Sequence, residues 1–388
     1  MAALTAARRG VDVVLVERTK DGGRKILISG GGRCNILPSV AEPGRYVTAS
    51  SPNTLRKMLL SWPLAEQRAF FEVELRMPLE LEAETGKLFP SSQRARDVRD
   101  GLVARVREAG ARTWLGARVV GLERGETGVW TVALDGAPSI EARAVIVATG
   151  GLSVPNTGSD GGGLSIVRAL GHELNPTYPA LTPLTAAPHP HAELAGVSTD
   201  VTLTAPGAKP AFSTSGALLI THRGWSGPAV LDASHHATRS GPDGGRQEIL
   251  VNWTGRASID WDRELREGAG NVRGVVAARL PRRLAEALLV EAGVPLDAPL
   301  AQLRRAERAR LVQTLTAYPL PWTGHEGYQK AEVTGGGVAL GEVDPRTMES
   351  RRTPGLYLCG EILDAFGPIG GHNFLWAWAT GRAAGAGV

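Results

Sequence analysis

The stretch that decides the fold lies near the end of the chain. It reads GLYLCGEILD at residues 355–364, GPIGGHN at 367–373 and the apolar run FLWAWATGRAAG at 374–385. These pieces predict a strand, a glycine-rich turn and a helix. Gly370 and Gly371 let the backbone approach a ligand closely, and the free N–H groups at the helix start favour an electron-rich ligand atom. The stretch therefore predicts a ligand site, with an ordinary strand–loop–helix connection as the alternative.

A second stretch has matching chemistry. GRKILISGGGRCN at residues 23–35 combines three consecutive glycines with Arg24, Lys25 and Arg33, and such a loop can wrap a pyrophosphate with backbone amides and fixed positive charge. Glu361, just past the C-terminal strand, is placed to accept hydrogen bonds from sugar hydroxyls. Together the two stretches strengthen the prediction of a binding site.

Composition narrows the class of protein. The 388 residues allow two or three domains, and 43% hydrophobic and 21% charged residues are typical of a soluble globular chain. The formal charge of +4 does not indicate a nucleic-acid partner. Cys34 and Cys359 lie far apart without metal-ligand spacing, which favours a reduced, cytoplasmic protein without a metal. No apolar run reaches the roughly 18 residues that a membrane span needs.

The segment GRKILISGGGRCN stands unchanged in a family that the chain resembles over nearly its whole length, the HI0933-like or BaiN-like NAD(P)/FAD-dependent oxidoreductases. ATGGLSVP at residues 148–155, THRGWSGP at 221–228 and AEVTGGGV at 331–338 are similar to further motifs of that family. The resemblance implies an α/β fold: a Rossmann-like FAD-binding domain of the glutathione-reductase type, truncated at its N-terminus, with an inserted β-barrel plus helical domain.

The resemblance also implies the cofactors and their contacts. FAD would be bound, and NAD(P)H would act as a transient electron donor. Glu361 would hold the ribitol, while Gly371, His372 and Asn373 would meet the pyrimidine end of the isoalloxazine, where a helix N-terminus stabilises the anionic reduced flavin. The predicted cofactor-binding residues are Glu17, Arg24, Lys25, Gly30, Gly31, Gly32, Arg33, Cys34, Asn35, Val119, Thr149, Gly150, Gly360, Glu361, Gly370, Gly371, His372 and Asn373.

The start of the chain departs from the family pattern. Residues 2–9 predict a helix closed by Gly10, and residues 11–16 predict a strand ending in Glu17, an acid suited to the adenosine ribose. The G-x-G-x-x-G turn that belongs about 20 residues earlier would fall before Met1. We favour a mis-assigned start codon over a natural truncation. We expect a sheet without that strand to leave backbone groups unpaired, and this form to be poorly stable and to bind FAD weakly.

The middle of the chain predicts a hairpin over residues 77–90, a helix over 92–109, and strands over 113–122, 129–134 and 141–148. A proline-rich composition shift then marks a boundary, which gives an FAD-binding domain at 1–178, an inserted domain at 179–322 and a C-terminal FAD-binding part at 323–388. In the insert, residues 279–292 and 300–318 predict helices.

His222, beside a glycine turn in the insert, is a candidate proton donor, and a purely structural turn is the alternative. The residues argue against a hydrolase, because neither a Ser/His/Asp order nor a G-x-S-x-G elbow is evident. By resemblance the chain is an FAD-dependent oxidoreductase that passes a hydride from NAD(P)H to a small organic acceptor, with reduction of a C=C bond as the implied reaction. The alternatives are a flavin-dependent RNA-modifying enzyme and a truncated, non-catalytic remnant. The sequence leaves the substrate and the oligomeric state open.

Overall fold

Two units, each with its own hydrophobic core, make up the computed structural model, which describes residues 1–239 and 247–388. The first unit comprises Met1–Pro179 and Glu332–Val388, and the second comprises Ala180–Ala331. The sequence predicts domain boundaries at residues 178/179 and 322/323, compared with 179/180 and 331/332 for these two units. None of the helices in the described ranges is both long and apolar enough to cross a lipid bilayer.

The helices are α1 (Ala2–Arg8), α2 (Arg24–Ile28), α3 (Pro52–Leu59), α4 (Leu64–Ala69), α5 (Ala95–Glu108), α6 (Gly162–Ala169), α7 (Pro228–Ala233), α8 (His235–Thr238), α9 (Ser258–Glu267), α10 (Val272–Ala277), α11 (Arg282–Glu291), α12 (Arg305–Thr316) and α13 (His372–Gly387). The strands are β1 (Val14–Glu17), β2 (Leu37–Pro38), β3 (Leu79–Glu82), β4 (Lys87–Pro90), β5 (Arg112–Leu115), β6 (Val119–Arg124), β7 (Trp130–Leu134), β8 (Ala137–Ala142), β9 (Val145–Val147), β10 (Leu174–Ala180), β11 (Leu184–Thr185), β12 (Ser198–Ala205), β13 (Phe212–Ile220), β14 (Gly224–Ser226), β15 (Leu250–Asn252), β16 (Tyr318–Pro319), β17 (Gly324–His325), β18 (Val333–Val338) and β19 (Leu356–Leu358).

Two short parallel strand pairs belong to the first unit. β1 pairs with β5, Val14 opposite Arg112, and β9 pairs with β19, Val145 opposite Leu356. Within the described ranges β1 and β9 each have one strand neighbour, so each keeps an edge of unpaired backbone groups. The exposed Leu15 shows that the β1 edge is only partly covered.

The C-terminal helix of the first unit packs on its N-terminal helix through small residues. A Cβ at Gly385 of α13 would lie 2.3 Å from the carbonyl oxygen of Ala2 in α1, so only glycine permits this approach. The three-stranded sheets β2–β4–β3 and β6–β7–β8 and the pair β10–β18 complete the unit. The antiparallel β3–β4 pair confirms the predicted hairpin.

The second unit has one seven-stranded antiparallel sheet in the order β16-β15-β12-β13-β14-β11-β17. Its helices α9 to α12 carry apolar side chains into a core that includes Trp253, Trp261 and Leu311. The helices predicted over residues 279–292 and 300–318 correspond to α11 and α12.

Two predicted elements differ from the structure. The strand predicted over residues 113–122 is two strands, β5 and β6, in different sheets, because Gly116 turns the chain with a φ of +74°. The helix predicted from residue 300 begins at Arg305, because Arg304 is extended and its N–H donates to the Glu307 carboxylate at 3.0 Å, which caps the helix.

Candidate functional site

A large cavity of about 1990 Å³ lies in the first unit. Pockets for one small ligand have volumes of about 300–1,000 Å³, so this cavity is large enough for a dinucleotide together with a second molecule. Part of its volume runs along the free edges of β1 and β9, since residues of both strands line it. Its wall also includes residues of the glycine-rich segment after α2 and of the turn that precedes α13.

An ionic cluster stands where β9 and β19 end. Glu361 Oε2 accepts from Lys25 Nζ, while Glu361 Oε1 accepts from Ser153 Oγ at 2.5 Å and from the Thr334 N–H at 3.0 Å. Lys25 also donates to Ser153 Oγ at 2.6 Å. A carboxylate oxygen can accept two hydrogen bonds, so Oε2 retains capacity for one further donor such as a ligand hydroxyl.

Thr334 orders the turn after β9 beside this cluster. Its Oγ1 accepts from the N–H groups of Leu152 and Ser153 at 2.7 and 3.1 Å. Because these contacts join β18 to the turn that follows β9, Glu361 is held from three directions. The cluster is therefore rigid before any ligand arrives.

The turn before α13 is set by a close backbone approach. Gly371 has a φ of +89°, and a Cβ there would lie 2.6 Å from the carbonyl carbon of Leu37. In the amide orientation that satisfies both groups, the Asn35 oxygen accepts from the Gly371 N–H at 3.0 Å and its nitrogen donates to the Leu37 carbonyl at 3.1 Å. Asn35 therefore fastens the first glycine-rich segment to the second.

The first residues of α13 hold the turn rather than point outward. Asn373 pairs with the backbone of Gly367, its Oδ1 accepting at 2.9 Å and its Nδ2 donating at 3.0 Å. His372 is buried, and its carbonyl accepts from the Tyr46 hydroxyl at 2.8 Å. Burial, aided by the charge of Arg45, lowers the pKa of His372 to about 4, so its imidazole is neutral at physiological pH.

The glycine-rich segment is a short helix followed by a tight turn. α2 ends at Ile28, and Gly30 and Gly31 follow in the left-handed region with φ of +55° and +66°. Arg33 pairs with Glu82 at 3.1 Å and lies over the Phe89 ring. This arrangement carries backbone amides and cations along one wall of the cavity.

Another part of the cavity lining carries Glu17, the acid that ends β1. Glu17 Oε1 accepts from the backbone N–H and the hydroxyl of Thr19, at 2.6 and 2.7 Å. Asp160 accepts from Arg18 and, at 3.4 Å, from Arg118. These residues can therefore offer a ligand the Glu17 carboxylate as a hydrogen-bond acceptor. Arg18 and Arg118 can exchange their contact with Asp160 for one with the ligand.

The structure brings most of the predicted cofactor residues to this one cavity. The lining contains Glu17, Arg24, Lys25, Gly30, Gly31, Arg33, Asn35, Val119, Thr149, Gly150, Gly360, Glu361, Gly370, Gly371 and Asn373. Gly32, Cys34 and His372 are not part of it. Cys34 is fully buried, and this burial raises the pKa of its thiol to about 11.

One predicted residue lies outside the cavity lining, and three residues of the site were not predicted from the sequence. His222 lies exposed in the second unit and is not among the lining residues. Sequence reasoning did not single out Ser153, Lys87 or Glu332, which the structure brings to the cluster or the cavity wall. Only their positions inside the ATGGLSVP and AEVTGGGV motifs, for Ser153 and Glu332, could have drawn attention to them.

Comparison with known proteins shows the family of this chain. A family model described as HI0933-like protein Rossmann domain matches residues 1–387. The chain belongs to this family. It is 34% identical over 387 residues to the ribosomal RNA dihydrouridine synthase of Escherichia coli K12, covering 97% of this chain and 92% of that protein.

Two further relatives of the HI0933-like chain are similar over their whole length. The 3-dehydro-bile acid delta(4,6)-reductase of Clostridium scindens is 32% identical over 394 residues, covering 99% of this chain and 95% of that protein. The ribosomal RNA dihydrouridine synthase of Haemophilus influenzae is 31% identical over 388 residues, covering 97% and 92%. Membership confirms the predicted α/β fold with a Rossmann-like FAD-binding domain, and the prediction of an FAD-dependent oxidoreductase.

The residues of the cavity fit FAD by the chemistry of their donors and acceptors. A pyrophosphate needs amides and cations, which the segment from Arg24 to Arg33 carries. Ribityl hydroxyls need an acceptor, which Glu361 retains. The start of α13, a helix of 16 residues, offers unpaired N–H groups and a partial positive charge to an electron-rich ring edge.

Proposed function

We propose that this protein reduces a carbon–carbon double bond conjugated to a carbonyl group in a small organic molecule, with NAD(P)H as the electron donor. FAD, when bound, supplies the hydride. The observation that carries the proposal is the joint presence, on one cavity wall, of the Glu361 cluster, the cationic glycine-rich segment and the N-terminus of α13.

The names of the relatives support the reaction type. One is called a delta(4,6)-reductase and two are called dihydrouridine synthases, and both names denote the addition of two hydrogen atoms across a double bond. The cavity volume supports it further, because space for a second molecule beside a dinucleotide is what a bound acceptor needs.

Each part of the wall then has a proposed task. Glu361 accepts from the sugar chain through Oε2, and Lys25 orients that carboxylate. The segment from Gly30 to Arg33 neutralises the pyrophosphate. Gly370 and Gly371 bring the start of α13 against the pyrimidine edge, where its dipole favours the reduced, anionic ring. The remaining predicted contacts, from Gly32, Cys34 and His372, act through the backbone or through packing. His222 remains a proposed proton donor.

The test is a spectrum followed by two half-reactions. Purified protein reconstituted with FAD should show flavin absorbance, which NADH or NADPH bleaches under anaerobic conditions. Androst-4-ene-3,17-dione, a conjugated enone, should then restore the oxidised spectrum with formation of the saturated ketone. Glu361→Gln should weaken FAD binding, whereas Glu123→Gln, an exposed carboxylate outside the cavity lining, should not. Absence of flavin binding in the wild type would overturn the proposal.

RNA is a second candidate substrate, because two of the three relatives carry an RNA-directed name. The prediction from the net charge of +4 that nucleic acid is not a partner speaks against it. A ribosomal RNA transcript replaces the enone in the same assay. Reoxidation with formation of dihydrouridine, and no reaction with free enones, would establish RNA in place of the small acceptor.

A further inference from the structure

Glu332 is the cavity-lining carboxyl group that the cofactor scheme leaves without a task. It immediately precedes β18 and lines the cavity. Within the described ranges its carboxylate has neither a hydrogen bond nor an ion pair, in contrast to Glu17 and Glu361. An ionisable group in a cavity without a structural partner is a candidate for chemistry.

The chain places Glu332 close to the Glu361 cluster. Thr334, two residues later, donates its N–H to Glu361 Oε1 at 3.0 Å and accepts on Oγ1 from the Ser153 N–H at 3.1 Å. Glu332 occupies the bend that leads into β18, and two residues of chain span at most about 7 Å. The backbone of Glu332 therefore lies next to the cluster that holds Lys25.

Lys87 lies beside the turn before α13, and its charge acts on Glu332. A Cβ at Gly370 would lie 3.8 Å from Lys87 Cε, so the lysine stem passes directly beside this turn. Lys87 and Lys25 are the cations whose charges act on Glu332. Glu332 therefore faces the cavity between the Glu361 cluster and the glycine turn, where the proposed function puts the reacting ring.

The surroundings of Glu332 suit proton transfer. Glu332 is exposed within the cavity, so water that enters the cavity reaches its side chain. Desolvation by the cavity walls raises the pKa of Glu332, against the opposing charges of Lys87 and Lys25. A carboxylic acid with a raised pKa can remain protonated closer to neutral pH and so serve as a general acid.

We propose that Glu332 is the catalytic acid that completes the reduction, an inference that rests on the proposed function. The hydride adds to the β-carbon of the conjugated double bond, and the π electron pair moves onto the α-carbon and the carbonyl. Glu332 gives its proton to the α-carbon, where that pair forms the new C–H bond. The carboxylate then regains a proton from cavity water, so atoms and charge balance.

The first test separates the two half-reactions with 2-cyclohexen-1-one as the acceptor. Glu332→Gln should bind FAD and be reduced by NAD(P)H or dithionite as the wild type is, and dioxygen should reoxidise it normally. Reoxidation by the enone should be slower by about 10²–10⁴-fold, the usual contribution of a general acid. Glu123→Gln should behave as the wild type.

The second test does not depend on turnover. The visible spectrum of bound FAD, titrated with acid and base, should show a transition that Glu332→Gln removes. Lys87→Met removes a charge that favours the Glu332 carboxylate, so the transition should move to higher pH. The charged groups that face Glu332 are Lys87 on β4, Lys25 on α2 and, behind Lys25, Glu361.

The outcomes distinguish this inference from the function on which it rests. Enone reduction that is fast in Glu332→Gln and slow in His222→Ala would overturn the role of Glu332 and leave the proposed function intact. A wild type that never reduces an enone would overturn the function. In that case a spectral transition that persists unchanged in Glu332→Gln would also overturn the placement of Glu332 beside the cofactor.

Discussion

Replacing Gly371 by alanine tests whether the turn before α13 is held by a contact that cannot relax. The new Cβ would lie 2.6 Å from the carbonyl carbon and 2.9 Å from the Cα of Leu37, and 2.9 Å from the side-chain amide of Asn35. Two of these atoms are backbone, so a side-chain rotation cannot relieve the clash. The φ of +89° adds strain, because an alanine in the left-handed region costs about 1–2 kcal/mol.

The magnitude follows from these two terms. Overpacking against atoms that must shift costs about 1–3 kcal/mol, so Gly371→Ala should lower the free energy of unfolding of the first unit by about 2–5 kcal/mol in all. Gly10→Ala is a matched control, since Gly10 has a φ of +85° but no atom within 4 Å of the added Cβ. The control should show the strain term alone.

Thermal and urea unfolding of the two variants measure the difference. For a unit of this size a change of 1 kcal/mol moves the melting temperature by about 2–4 °C, so Gly371→Ala should melt roughly 2–12 °C below Gly10→Ala. FAD affinity should fall in Gly371→Ala and not in the control. Equal melting temperatures would refute the argument, because they would mean that the Asn35–Leu37 segment moves away at no cost.

Three further predictions concern Lys25 on the cavity wall and two buried residues of α13, His372 and Thr380. Lys25→Met should lower the free energy of unfolding by about 1–3 kcal/mol, because it leaves the half-buried Glu361 without its cation. Lys20→Met, at an exposed lysine, is the control and should leave the urea denaturation midpoint unchanged. His372, whose pKa is about 4 in the folded chain and about 6.5 unfolded, should add stability above pH 6.5 that is lost as the pH falls to 4. This loss is about 3 kcal/mol, and urea midpoints measured across that range should flatten in His372→Gln. The Thr380 hydroxyl accepts a hydrogen bond from the Gly360 N–H at 3.0 Å, and Thr380→Val should lower the free energy of unfolding by about 1–3 kcal/mol because this N–H loses its partner. Thr380→Ser keeps the hydroxyl and should be more stable than Thr380→Val in urea denaturation. Equal stability of the two variants would contradict the role of this hydrogen bond.

The sequence predicted the parts of the site that short motifs encode. The glycines at 30–32 and 370–371 were recognisable because few other side chains allow positive φ, and the acids Glu17 and Glu361 were recognisable because each directly follows an apolar strand. The structure brings these segments to one cavity, and their roles toward FAD remain predictions. The fold was predicted from the resemblance to the family rather than from hydrophobic periodicity, and family membership confirms it.

Pairings between distant residues were beyond the sequence. The Lys25–Glu361 contact joins residues that are 336 positions apart, and no local pattern encodes such a separation. Glu332 is similar, because its chemistry depends on lysines from two other elements. The break between β5 and β6 was missed because an apolar run continues across it and only Gly116 marks the turn.

The order of residues along the cavity wall also constrains how the protein is made. One part of the wall is contributed by residues up to Ile166, and the rest by residues from Glu332 onward. On the ribosome the whole of Ala180–Ala331 must emerge between them. The insert can therefore fold before the first unit is complete. Until α13 is translated, the apolar surface of α1 in the nascent N-terminal half stays uncovered. Cofactor loading should therefore be a late, post-translational event, and the waiting half is the species that a chaperone would recognise.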